Sequence, residues 1–195
     1  MAALVLGLVL FLGLHSTRIF AEGWRTRTME SFGEREYKGL YSVLSIAGFV
    51  LLVWGYGLAR QQPVILWNQP PVWTRHIAAL LTLAAFVLVV AAYVPGNAIK
   101  AKLRHPMILG VKVWAFAHLI ANNTLADLVL FGSFLLWAVL DYRAARRRER
   151  TLATVITQGP MSRTVIAVVA GIVAWAVFAM WGHRALIGVS PLGTS

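Results

Sequence analysis

The sequence predicts an all-α fold, a polytopic membrane bundle of about six transmembrane helices. Three observations support this prediction: 59% of the 195 residues are hydrophobic, only 13% are charged, and the mean hydropathy is +0.71. Soluble domains are roughly 45–50% apolar and about 25% charged. A chain this apolar has too few polar residues to cover its surface in water. We therefore expect a single transmembrane domain over residues 1–195, with the lipid bilayer as its partner.

Six apolar stretches are long enough, alone or with their flanking residues, to cross a membrane as helices. They cover residues 2–20, 41–58, 77–94, 107–121, 125–140 and 165–181. A spanning helix needs about 20 residues, which the fourth and fifth stretches reach only by extending into their flanks. Because Asn122, Asn123 and Thr124 form a short polar turn between these two, we predict a transmembrane hairpin. The charged and aromatic residues 30–41 are predicted to form a helix at the membrane interface.

Basic residues are concentrated in alternate connections between these stretches. Fourteen of the 18 Lys and Arg residues fall in or beside the first, third and fifth connections. The positive-inside rule places these connections in the cytoplasm and both termini outside it. The net charge of +11 then reflects basic loops beside anionic lipid, so no nucleic-acid partner is expected.

Several kinds of chemistry are excluded by residues that the sequence lacks. Without cysteine there is no thiolate metal site, no cysteine nucleophile and no iron–sulfur cluster on cysteine ligands. Glycine-rich nucleotide motifs and the serine-hydrolase elbow are also absent. Only Asp127 and Asp141 lie near a span, so the bilayer holds no carboxylate pair.

The five histidines are the best candidates for a site. His76 and His183 lie at span ends, where a hydrated imidazole needs no special role. His15 and His118 lie inside spans, where ionisable groups are costly and commonly functional. His105 opens the fourth span, 13 residues before His118. On a straight helix these two differ by about 220° and about 20 Å, so they cannot bind one small ligand together. If depth in the membrane alone decided which two histidines share a ligand, His15 would be paired with His105.

Lys112 is the one basic residue inside a span, and it lies on the same helix face as His105. Two interpretations remain open for it. The side chain either extends to the cytoplasmic surface, as long cations commonly do, or pairs with an anion inside the membrane.

Three blocks of the chain resemble the signature of the NnrU family. The most specific is RHPMILGVKVWAFAHL at residues 104–119, followed by Asn122; the others are GLHS at residues 13–16 and GEREYKGLYS at residues 33–42. The resemblance covers most of residues 1–145. It implies a multi-pass protein of the bacterial inner membrane, in which the distribution of basic residues places both termini in the periplasm. A more distant likeness of the RHP turn to membrane methyltransferases is weakened by the basic run that follows the hairpin.

The resemblance also implies a cofactor and its ligands. The family is associated with denitrification and includes 15-cis-ζ-carotene isomerase, a haem b enzyme whose two axial histidines match His15 and His118. It therefore implies haem b, with the haem iron bound by His15 and His118. Three functions remain open: a haem protein of nitrogen-oxide metabolism, a haem-dependent cis–trans isomerase of a hydrophobic polyene in carotenoid biosynthesis, and a non-enzymatic membrane assembly partner. Catalytic residues and oligomeric state are not indicated.

Overall fold

Helices make up most of the chain in the computed structural model, which describes residues 1–152 and 157–192. The helices are α1 (Ala2–Phe20), α2 (Glu22–Phe32), α3 (Glu34–Gln61), α4 (Val72–Tyr93), α5 (Ala98–Leu103), α6 (Pro106–Ala121), α7 (Leu125–Leu152), α8 (Met161–Val177) and α9 (His183–Ile187), the last two joined by a π-helical turn (Phe178–Gly182). Five segments, namely α1, α3, α4, α7 and the α8–α9 unit, are long and apolar enough to cross a membrane, and α6 is a shorter apolar helix. This confirms the predicted helical membrane bundle.

The bundle has two distinct ends. At one end, Arg148 of α7 donates a hydrogen bond of 2.8 Å to the carbonyl of Arg18 near the end of α1. At the other end, Arg60 of α3 donates a bond of 2.7 Å to the carbonyl of Ile187 at the end of α9. We call the first the basic end and the second, which also holds Met1, the terminal end.

The α3–α4 connection is bonded to the α6–α7 turn at the terminal end. The Leu66 N–H donates to the Asn123 carbonyl at 2.9 Å, and the Leu125 N–H donates to the Val64 carbonyl at 2.8 Å. α6 therefore ends, and α7 begins, beside the end of α3. This arrangement agrees with the hairpin that the polar turn predicts.

Glycines bring neighbouring helices unusually close together. A Cβ atom on Gly7 would lie 2.5 Å from the Leu52 nitrogen, and one on Gly55 would lie 2.4 Å from the Leu4 nitrogen. α1 and α3 therefore cross with their backbones almost in contact, which small residues permit in membrane proteins. Gly171 lets α8 approach α4 in the same way.

α7 occupies the centre of the arrangement that positions the site. It packs against both α1 and α6, whereas the described parts of α1 and α6 have no close backbone approach to each other. A buried apolar cluster near the terminal end joins these helices to α3. Its larger members are Leu4, Leu8, Leu52, Tyr56, Leu130 and Phe131.

One sequence prediction about a helix is corrected, and two helices extend beyond the predicted spans that they contain. The predicted interfacial helix over residues 30–41 is wrong, because Gly33, with φ of +95°, separates α2 from α3. α3 begins at Glu34, about two turns before the predicted span at residue 41, and a Lys38–Glu34 ion pair of 2.5 Å supports this extension. Likewise α7 continues past residue 140 to Leu152. Charged residues extend both helices beyond their apolar stretches.

Candidate functional site

His15 of α1 and His118 of α6 are held by the same type of hydrogen bond. The His15 Nδ1 lies 2.7 Å from the Phe11 carbonyl oxygen, and the His118 Nδ1 lies 2.8 Å from the Trp114 carbonyl oxygen. A carbonyl oxygen can only accept, so each ring carries a proton on Nδ1, and the neutral imidazole then has a free electron pair on Nε2. Within residues 1–152 and 157–192, no hydrogen-bond partner faces either Nε2. Metal-ligating imidazoles use this tautomer.

A continuous run of aromatic rings connects the two histidines through α1, α7 and α6. The ring centroids of His15 and Phe11 are 4.3 Å apart, and those of Phe11 and Phe134 are 5.9 Å apart. Phe134 lies 5.4 Å from Trp114, which in turn lies 5.1 Å from His118. These distances are typical of paired aromatic side chains. The two imidazoles are therefore connected by an unbroken series of ring contacts.

Further aromatic groups fix the two imidazole planes. Phe131 stacks on His118 with a centroid distance of 4.4 Å and an interplanar angle of 23°. Trp137 meets His15 edge to face at 6.1 Å, and Tyr41 lies 5.4 Å from the same ring. The Nε1–H of Trp137 is buried and has no hydrogen-bond partner in the part of the chain that the structure describes. An unsatisfied donor therefore lies near His15, where an acceptor atom of a bound group would satisfy it.

His105 belongs to an ion-pair cluster at the basic end. Glu149 of α7 lies 3.0 Å from Arg104 and 2.6 Å from Arg146. The His105 Nε2 is 3.3 Å from the same carboxylate, an electrostatic contact rather than an aligned hydrogen bond. Burial lowers the pKa of His105 below its ordinary value, although the Glu149 carboxylate acts to raise it. The ring also meets Tyr142 edge to face at 6.1 Å.

The two remaining histidines lie at the terminal end, as the sequence predicts. His183 places Nδ1 2.7 Å from the Val189 carbonyl oxygen and so secures the turn after α9. His76 is exposed in the first two turns of α4. Among the described residues, neither ring makes an aromatic contact with the run of rings between His15 and His118.

Lys112 points away from that run of rings. Its ammonium lies over the ring of Tyr142, 5.0 Å from the centroid, in cation–π geometry. Because Tyr142 also contacts His105, this cation lies toward the basic end. The structure thus gives Lys112 an aromatic partner that neither sequence interpretation includes.

Asp127 has a structural role at the start of α7. Its carboxylate accepts hydrogen bonds of 2.5 Å from the Thr124 hydroxyl and 3.1 Å from the Thr124 N–H. The Tyr56 hydroxyl of α3 donates to the other carboxylate oxygen at 2.5 Å. This is a helix cap reinforced by a second helix. Asp127 thus ties α3 to the hairpin.

The donors that the candidate site offers are two imidazole nitrogens. Among the described residues, no group of three or more His, Cys, Asp and Glu side chains could hold a metal ion. Haem needs fewer protein ligands, because its macrocycle supplies four nitrogens and the protein supplies the axial groups. Imidazole is one of the axial groups that haem accepts.

These features define the chain as a polytopic helical membrane protein with two imidazoles available as ligands. The family model described as NnrU protein matches residues 3–191, and the chain belongs to the NnrU family. The match confirms the likeness of the three sequence blocks and extends it through α8 and α9. No curated protein and no solved structure matches the chain.

Proposed function

We propose that this NnrU-family protein binds haem b inside the membrane, with His15 and His118 as the axial ligands of the iron. The observation that supports this most strongly is the shared hydrogen bond. In both rings Nδ1–H donates to the carbonyl four residues earlier, which leaves Nε2 as an electron-pair donor. His105 instead lies beside the Glu149 carboxylate in the ion-pair cluster at the basic end, which favours His118 as the second ligand.

The directions of the two helices support the pairing of these rings. Measured from the span centres, His15 lies about 6 Å toward the basic end and His118 about 6 Å toward the terminal end. Helical side chains tilt toward the N-terminus of their own helix, and α1 and α6 run in opposite directions. Both rings therefore tilt toward the membrane centre, by roughly 3 Å each, which halves the depth difference.

The chain's own residues have defined roles in this proposal. The carbonyls of Phe11 and Trp114 hold the imidazoles in the ligating tautomer, and Phe131 fixes the plane of His118. Trp137 supplies an N–H donor for an acceptor on the bound group. When bound, haem b supplies a redox-active iron centre. The aromatic rings would exclude water from that centre and would offer flat apolar surfaces to the bound group.

We further propose that the protein acts in nitrogen-oxide metabolism, the association that its family resemblance implies. The competing hypothesis is cis–trans isomerisation of a polyene. Expression in cells that accumulate 15-cis-ζ-carotene separates the two. The proposal predicts that these cells do not convert the polyene. If they do, and if the conversion depends on His15 and His118, the role in nitrogen-oxide metabolism is rejected in favour of the isomerase hypothesis.

The proposal places the protein in the bacterial inner membrane with both termini in the periplasm. The concentration of Lys and Arg at the basic end supports this orientation. A reporter that is active only in the periplasm, fused after Ser195, should give a signal. Activity of a matched cytoplasmic reporter at that position would overturn the orientation.

The haem proposal is tested by the absorption spectrum of the purified protein in detergent, after expression with ample haem supply. The wild type should show a Soret band that shifts on reduction. His15→Ala and His118→Ala should each lose most of it, whereas His76→Ala and His183→Ala should retain it. Loss of haem in His105→Ala but not in His118→Ala would reassign the second ligand.

A further inference from the structure

A cavity of about 290 Å³ opens between the end of α1 and the middle of α7, close to the basic end. Its walls combine apolar and basic side chains. The lining residues are Ile19, Phe20, Leu140, Arg143, Ala144 and Arg147. We infer that this cavity binds an anionic phospholipid, whose phosphate lies between the two arginines and whose acyl chain follows the apolar wall.

The position along α7 suits a lipid headgroup. Leu140 ends the apolar stretch of this helix, and Arg143 and Arg147 follow within about two turns, or about 10 Å. In a spanning helix this transition marks the boundary between hydrocarbon and headgroups. Phe20, at the end of α1, is 72% exposed beside the cavity and offers an apolar surface at the same level.

The arrangement of charges suits one phosphate. Arg143 and Arg147 are exposed and four residues apart, so their side chains lie on one face of α7. Neither guanidinium has an ion-pair partner among the described residues. Like charges at this spacing repel each other, and an anion between them removes the repulsion. Guanidinium groups bind phosphate oxygens through paired hydrogen bonds.

The nearby carboxylates explain why the lipid should be anionic rather than zwitterionic. Glu149 is paired with Arg146, and Asp141 lies 3.8 Å from Arg148, so both are already engaged by other arginines. The cavity lining itself contains no acidic side chain. A choline or ethanolamine headgroup would therefore bring a cation that finds no partner there, whereas a headgroup with only negative charge is complementary.

Native mass spectrometry of the full chain, titrated with phosphatidylglycerol or phosphatidylcholine, tests this inference. The wild type should bind phosphatidylglycerol in clear preference to phosphatidylcholine. The double variant Arg143→Gln with Arg147→Gln should weaken phosphatidylglycerol binding by about tenfold or more, since each basic group near lipid contributes about fivefold. Both side chains are exposed, so this variant should fold.

The matched control is Arg27→Gln with Arg35→Gln, which removes the same charge from exposed positions outside the cavity. It should change phosphatidylglycerol binding by less than about twofold. Three outcomes would each overturn the inference: an equal loss in the control, equal affinity for the two lipids, or displacement of the lipid by millimolar inorganic phosphate. The last outcome would indicate a simple phosphate site.

Discussion

His15 and His118 donate the same Nδ1 hydrogen bond to the carbonyl four residues earlier, on helices that run in opposite directions. The bond to Phe11 draws one ring toward the terminal end, and the bond to Trp114 draws the other toward the basic end. Each bond also fixes the tautomer that leaves Nε2 free. The same hydrogen bond on two helices therefore influences the depth of both imidazoles in the membrane and determines which of their nitrogens is available to a ligand.

The close crossing of α1 and α3 predicts a large effect of substitution at Gly55. A side chain there would place Cβ 2.4 Å from the Leu4 nitrogen, so Gly55→Val must separate the two backbones. We expect a loss of at least about 2 kcal/mol of stability, or roughly 4–8 °C in the thermal unfolding midpoint in detergent. Gly13→Ala is the control, because no described atom outside its own stretch of helix backbone lies within 4 Å of its Cβ position. Equal midpoints for the two variants would contradict this packing.

The Tyr56–Asp127 hydrogen bond predicts a specific loss in Tyr56→Phe. The substitution keeps the ring and removes the donor, which leaves one oxygen of the buried carboxylate without its partner from α3. The expected cost is about 1–3 kcal/mol in unfolding free energy. Tyr93→Phe provides the comparison, since Tyr93 is 73% exposed and should lose little. An additive double-mutant cycle of Tyr56→Phe with Asp127→Asn would show that the two groups do not interact.

The lowered pKa of His105 predicts that the stability of the fold depends on pH. Burial lowers the pKa of His105 in the folded state below its ordinary value of about 6.5. At a pH below about 6.5, His105 is therefore more often protonated in the unfolded chain than in the folded protein. The contribution of this residue to stability is therefore complete above that pH and decreases as the pH falls through it. Unfolding midpoints between about pH 7.5 and about pH 5.5 should decrease less in His105→Gln than in the wild type. His76→Gln, at an exposed position, should retain the wild-type slope; identical slopes in all three proteins would contradict the prediction.

The contact of Lys112 with Tyr142 predicts that this lysine contributes to stability rather than to haem retention. Lys112→Met removes the cation above the ring and should lower the unfolding free energy by about 0.5–2 kcal/mol. The ratio of haem to protein in the purified variant should stay at the wild-type value. A clear fall in that ratio would instead indicate that the ammonium pairs with an anionic group of the cofactor.

The helical bundle could be predicted from the sequence because composition and long apolar stretches determine it directly. The helix boundaries could not, since ion pairs such as Lys38–Glu34 extend a helix without leaving an apolar signal. The residues that contact the histidines could not be predicted from the sequence either. Phe134 and Trp137 resemble lipid-facing residues in the sequence, and only the packing of α7 between α1 and α6 brings them to the site. The partner of His105, Glu149, is 44 positions away in the chain.

The central claim is that His15 and His118 are a pair of axial ligands, and exogenous imidazole tests it most directly. His15→Gly and His118→Gly should each bind haem weakly and lose the low-spin, six-coordinate absorption spectrum of the wild type. Imidazole added to either purified variant with haem should restore that spectrum, because it replaces the missing Nε2 donor. His76→Gly should match the wild type throughout. A wild type without a Soret band, or variants whose spectra equal the wild type before imidazole is added, would contradict the account.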